Sequence, residues 1–206
     1  MSWTEAWMSG HVAPWVANIW SGSLARPFWK TDDRDAVRPI LCAEALVKFA
    51  MGVLVRTVRR QLDAAMGAFQ FGAGRQAGAM AEVAQVRAAA HLHPDRALVG
   101  LDIKNAFGSV LWAEALEVVQ QRVPALAPAL AALWANHEVP VFTQAADQSS
   151  WTSWSVRGGS LIQGCVESHP VFCLVLGEAV RRLLDTGLVK ELGPALKNWL
   201  SKGVGV

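Results

Sequence analysis

Apolar side chains recurring at helical intervals, Val47, Met51, Leu54, Val55, Val58 and Leu62, constrain this chain more than any other feature. Lys48, Arg56, Arg59, Arg60 and Asp63 lie mostly off that stripe, so the segment predicts an amphipathic helix, running on from Ile40, with a basic outer face. One apolar face requires a core to receive it, and 206 residues with 52% apolar content can supply one. Charged residues are only 17% and the net charge is +2, so no global basic field marks nucleic acid as a partner, and any such contact must be local.

The remaining chain supplies further elements. Trp3, Trp7, Trp15, Trp20 and Trp29 stand among Gly, Ser and Pro with no clear period, which reads as an irregular lead-in over residues 1–37. Gly67, Gly72, Gly74 and Gly78 break the first helix, an alanine-rich helix follows over residues 78–90, and Pro94 closes it. Ala97-Leu98-Val99-Gly100-Leu101 predicts a buried strand that delivers Asp102 at its carboxyl end. Trp112, Ala115, Leu116 and Val119 mark another helix, and a further one fits between Pro124 and Asn136 with Pro128 in its first turn. Residues 139–143 and 151–156 predict a hairpin joined by a polar loop, and Val171, Leu174, Val175, Ala179 and Leu183 a last long helix. The class is α+β, with no internal repeat and no linker that divides residues 38–206.

Cys42, Cys165 and Cys173 are odd in number and lack a Cys-x-x-Cys spacing, which argues against a disulfide framework or structural zinc and for reduced thiols in an intracellular protein. Trp3, Glu5 and Trp7 occupy the place where a secretory signal needs an apolar run. The most apolar stretches, residues 40–58 and 161–180, are interrupted by Glu44, Lys48 and Arg56 and by Gln163, Glu167 and His169, so no membrane partner is expected.

Two segments carry potential chemistry. In Leu101-Asp102-Ile103-Lys104-Asn105-Ala106-Phe107 a carboxylate at a strand end is followed five residues later by a ring. Taken alone, Asp102 serves as well for the N-cap of the next helix, and Phe107 for a core aromatic. In Gly159-Ser160-Leu161-Ile162-Gln163-Gly164-Cys165, followed by Ser168, Pro170 and Phe172, Gly164 lets the backbone approach a ligand closely and Gln163 offers both a donor and an acceptor. Alone, Gln-Gly is a turn. Arg75, within Gln70-Phe71-Gly72-Ala73-Gly74-Arg75, can reach phosphate oxygens bidentately or stand as a solvated loop charge. His91 and His93 lack a third ligand and read as surface residues, and the glycines form neither a Walker loop nor a dinucleotide fingerprint. Most of the ten tryptophans are expected in the core, with a few in the lead-in free to stack on bases.

In order, Arg38-Pro39-Ile40 with Glu44 and Lys48, the Gly-rich segment to Arg75, Asp102 with Ala106-Phe107, and the Gln163-Gly164 turn span residues 38–172. That succession resembles the fingers and first part of the palm of a reverse transcriptase, an RNA-directed DNA polymerase, of the non-long-terminal-repeat retrotransposon type. The resemblance implies helix-rich fingers and an incomplete palm sheet of a right-hand polymerase fold, acting on an RNA template, a DNA primer and dNTP. It implies Asp102 as the catalytic carboxylate and, with the backbone carbonyl of Ile103, as a ligand of Mg2+ in two-metal nucleotidyl transfer. Phe107 would lie beneath the nucleotide sugar and exclude a 2′-hydroxyl, Gln163 and Gly164 would touch the nucleotide, and Arg75 its triphosphate. Arg56, Arg59 and Arg60 would contact nucleic acid.

Departures are visible. His169 stands where the family has proline, Pro170 comes one place late, and Glu167 replaces a usually apolar residue, which predicts a shifted start of the last helix. The family's aromatic-x-Asp-Asp hairpin has no counterpart, since the only adjacent aspartates, Asp32-Asp33, precede Asp102 and the chain has no tyrosine. Truncation ahead of that hairpin is the expectation, and this chain alone is then inactive. Two alternatives stay open: a degenerate, non-catalytic retroelement remnant that at most binds nucleic acid, and an unrelated α+β interaction domain.

Overall fold

The computed structural model describes residues 5–6, 9, 11, 13, 23–29, 37–67, 70–73, 76–95, 100, 102–135, 138–145, 147–157 and 159–186. The fold is α+β. Strands β1 (Ser23–Trp29) and β2 (Val37–Ala43) come first, then helices α1 (Ala45–Thr57), α2 (Arg59–Met66) and α3 (Gly78–Leu92). A short 3-10 turn at Phe107–Ser109 precedes α4 (Trp112–Arg122) and α5 (Ala127–Trp134), after which β3 (Glu138–Gln144), β4 (Trp151–Arg157) and α6 (Ser168–Asp185) complete the described chain.

The helical stripe behaves as its spacing predicts, with one adjustment. Ile40 belongs to β2, and the helix starts only at Ala45, where the Glu44 carboxylate accepts a hydrogen bond from the Leu46 amide at 2.5 Å and caps the first turn. Val58 then separates α1 from α2, yet both helices turn the same stripe inward. Val47, Met51, Leu54, Val58 and Leu62 are buried in one core with residues of α4, α5 and α6, among them Ala115, Val119, Leu130, Val171 and Leu174. Burial of that apolar surface is the main force holding the helices together. Trp112 of α4 stacks on Trp134 of α5, with ring centroids 5.8 Å apart and planes 1° from parallel.

Polar ties reinforce the last helix. Glu178 of α6 receives Arg122 of α4 at 2.6 Å, Arg181 at 2.5 Å and Arg182 at 3.3 Å, and the Arg122 guanidinium is the main cause holding its carboxyl below the ordinary range. Arg181 also reaches the Ala65 carbonyl at the end of α2, 3.5 Å away.

Among the described residues there is one sheet, with strand order β2-β1-β3-β4. The predicted hairpin is present as β3 and β4, with Val141 opposite Trp154 and Gln144 opposite Trp151. Val141 is buried in the helical core, so the hairpin is docked through its β3 side. The lead-in expectation over residues 1–37 requires correction: Ser23–Trp29 is a strand, paired antiparallel with β2 from Ser23↔Ala43 to Trp29↔Val37 and parallel with β3 at Ser23↔Val141. No side-chain alternation announces it, because the backbone ladder with β2 holds it in place. The lead-in boundary after residue 37 accordingly falls inside β2. The three cysteines are free thiols, as their spacing predicts. No helix among the described residues is long and apolar enough to cross a membrane.

Candidate functional site

The segment after Asp102 is a sequence of tight turns. Asp102 and Ile103 are exposed and irregular, and Lys104, Asn105 and Ala106 form a turn in which Asn105 takes a left-handed φ of 54°. The Asn105 carbonyl accepts from the Ser109 amide at 2.9 Å, and the Ser109 hydroxyl donates to the Ala106 carbonyl at 2.7 Å. A side chain at Gly108 would meet the exposed Asn105 side chain, which would have to turn aside to admit it. Asp102 does not cap the next helix, for α4 begins ten residues later with Leu111 as its N-cap. The strand expected over residues 97–101 lies almost wholly outside the described residues, and Asp102 itself is not part of the sheet.

The turn leads directly onto the Gln163 segment. The Leu161 amide donates to the Val110 carbonyl at 3.0 Å, the Trp112 amide donates to the Gly159 carbonyl at 2.8 Å, and Leu111 and Ser160 form an antiparallel bridge between these bonds. Val110 and Leu161 are both buried beneath this bridge. Phe107 is half-buried and packs its ring on Phe172 of α6, with centroids 5.3 Å apart and planes tilted by 51°. Part of its surface therefore does the work of a core aromatic, as the simpler sequence reading has it.

Beyond the bridge the chain rises to the surface. Gln163 and Gly164 are exposed, and Gly164 has a φ of 110°, a conformation that side-chain-bearing residues rarely adopt. The amide of Cys165 returns to the Ile162 carbonyl at 3.4 Å, and the Ser168 amide to the Cys165 carbonyl at 3.3 Å. Helix α6 then begins at Ser168, with the exposed His169 and the half-buried Pro170 in its first turn.

Glu167, which sequence reading marks only as a departure, is 4% exposed. Burial pushes its carboxyl up to about 7, partly countered by hydrogen bonds from its own backbone and from Cys165. The Cys165 thiol is in turn pushed far above its ordinary range, first by burial and then by the Glu167 charge, against a smaller opposing pull from Lys48 of α1.

Across from α6 lies a cavity of about 240 Å3 bounded by Val55, Arg59, Leu62, Met66, Ala73 and His169. It unites three stretches singled out in the sequence: the basic helix, the start of the Gly-rich segment and the start of the last helix. Arg59 is engaged with Asp63 at 2.8 Å, whereas Arg56 and Arg60 are exposed. Arg75 lies outside the described residues. Of the histidine pair His91 is exposed and His93 half-buried. Two tryptophans depart from the core expectation, Trp151 and Trp154, both largely exposed on β4.

The donors for a metal are few. Among the described residues no group of three or more His, Cys, Asp or Glu side chains could hold an ion. Asp102 and the Ile103 carbonyl do not by themselves fit the demand of two hard cations for several oxygen ligands each. The chain matches no protein-family model and no curated protein.

Proposed function

We propose that this chain is the fingers and adjoining palm of an RNA-directed DNA polymerase, and that its own residues bind the template-primer and the incoming nucleotide. One observation carries the reading: the Asp102–Phe107 turn and the Gln163-Gly164 turn, separated in sequence by the helices and hairpin of residues 108–162, flank a single backbone bridge at Leu111 and Ser160. Both turns leave that bridge for the surface with their polar residues exposed, as two segments serving one nucleotide would require. Gly164 keeps the second turn free of a side chain, so that Gln163 can offer its amide to a sugar or base. Phe107, wedged against Phe172, supplies a rigid ring beside the Asp102 turn on which a sugar edge can be sized.

Among the described residues no group of side chains assembles two Mg2+ ions, and no transfer step is assigned to this chain alone. The bound metals of such enzymes neutralise charge on the reacting phosphate; here Asp102 provides one carboxylate toward that end. The second reading is a remnant that only binds nucleic acid, which needs no metal cluster, and among the described residues none is formed.

Binding of a fluorescent RNA template with a blocked DNA primer distinguishes the two. A complementary dNTP is expected to tighten the complex while a mismatched dNTP leaves it unchanged, and Gln163→Ala is expected to remove that discrimination. Equal response to all four dNTPs, or to none, contradicts the polymerase reading and leaves the binding remnant.

A further inference from the structure

We infer that the outer face of α1 is a track for single-stranded nucleic acid, with a base stacked on Phe49 and phosphates held by Lys48 and Arg56. The inference rests on the polymerase reading and extends it by naming where an unpaired template strand runs.

Helix α1 has two unlike sides. Val47, Met51 and Leu54 are buried and fix the helix to the core, and no residue of the opposite side belongs to the buried core among the described residues. That opposite side is not simply polar. Phe49 is 64% exposed and Leu46 51%, an unusual outlay of apolar surface for a helix whose core stripe is already satisfied. Beside them lies a groove of about 380 Å3 lined by Lys48, Phe49, Gly52, Val53, Arg56 and Thr57.

The spacing explains the groove. Lys48, Gly52 and Arg56 form one row at intervals of four, with Phe49 and Val53 in the row beside it. Gly52 contributes no side chain, so the centre of the row is hollow, and nothing stands within 4 Å of where its Cβ would be. The two cations bracket the hollow about 12 Å apart along the axis. Neither makes an ion pair among the described residues, and no acidic residue lines the groove.

This combination selects its occupant by chemistry. Two cations that make no ion pair among the described residues call for an anion with charges repeated along its length, and an exposed ring between them calls for a flat apolar face. A single strand offers both, whereas a duplex hides its base faces and presents only phosphates.

The test uses the full chain and labelled 15-nucleotide single-stranded RNA and DNA, with a blunt RNA–DNA duplex for comparison, measured by anisotropy over a salt series. Phe49→Ala is expected to weaken single-strand binding about tenfold and Phe49→Trp to restore it, with duplex binding unchanged. Gly52→Leu, whose Cβ meets no neighbour in the fold, is expected to fill the hollow and weaken single-strand binding similarly. Replacing both Lys48 and Arg56 by Gln should reduce the slope of log affinity against log salt by about 1.4, the value for two phosphates on a single strand. Far-UV circular dichroism of each variant should match the parent. If Phe49→Ala and Gly52→Leu bind single strands as the parent does while the duplex is still bound, this inference falls and the polymerase reading stands. Failure to bind any of the three nucleic acids overturns both.

Discussion

The helical core and the pair of surface turns it carries are built on opposite terms. In the core, Leu54, Leu130 and Leu174 are at most 2% exposed and each element's position depends on its neighbours. At the turns, Asp102, Ile103, Gln163 and Gly164 are all exposed, and the segments that carry them are joined by the backbone bridge between Leu111 and Ser160 and by the ring contact beneath. The difference shows how a fold can fix the place of a site without using the site's own side chains. Stability and function should therefore respond to different substitutions.

The largest effect is expected in the core. Leu174→Ala, at a position with no exposure, should lower unfolding free energy by about 2–5 kcal/mol in urea titrations. A loss below that of a surface substitution would mean that α6 is not seated as described, and the contrast would dissolve.

Glu167 stands on the border between the two regions. Its folded carboxyl titrates near about 7 against an ordinary value of 4.5, so the folded state holds the proton more tightly than the unfolded chain. Its contribution is complete below pH 4.5 and is lost as pH rises through the window up to about 7, in total about 3 kcal/mol. Glu167→Gln should flatten that window, leaving the variant the more stable protein at pH 8. Urea midpoints for both proteins at pH 4.5, 6 and 8 check this, and identical pH profiles would contradict the burial of a titrating carboxyl.

Gly164→Ala sharpens the comparison at the turn itself. With φ at 110°, the substitution should cost about 1–3 kcal/mol although the residue is exposed. Gln163→Ala, one residue earlier, should alter stability by no more than about 0.5 kcal/mol. Thermal or urea unfolding of the two variants side by side separates backbone demand from side-chain demand. Asp102→Asn should be the mildest, within about 0.5 kcal/mol of the parent by the same measurement. A large loss there would assign Asp102 a structural duty that its exposure does not suggest.

Where periodicity and packing agree, the sequence was legible. Val47, Met51 and Leu54 announced α1, and the polar stretch between Thr143 and Trp151 announced the β3–β4 hairpin. Strand β1 was hidden because a strand held by its ladder needs no alternation of side chains. The bond between Val110 and Leu161 that joins the Phe107 and Gln163 segments is backbone chemistry with no residue signature. Glu167 drew notice only as a departure, since burial of a carboxylate depends on what folds over it. The hollow on α1 could be found only once the buried side of that helix was known, after which Phe49 and Gly52 define it.

The central claim is that the Asp102 and Gln163 turns serve one nucleotide, and photolabelling tests it most directly. The chain is bound to an RNA template with a blocked primer whose next template base is uracil, then irradiated with an azido derivative of dATP, and the labelled peptides are mapped. The account predicts label in both the 102–107 and the 159–165 peptides, suppressed by unlabelled dATP and not by dCTP. Label confined to one of these peptides, or found elsewhere with no dependence on the template base, would contradict it.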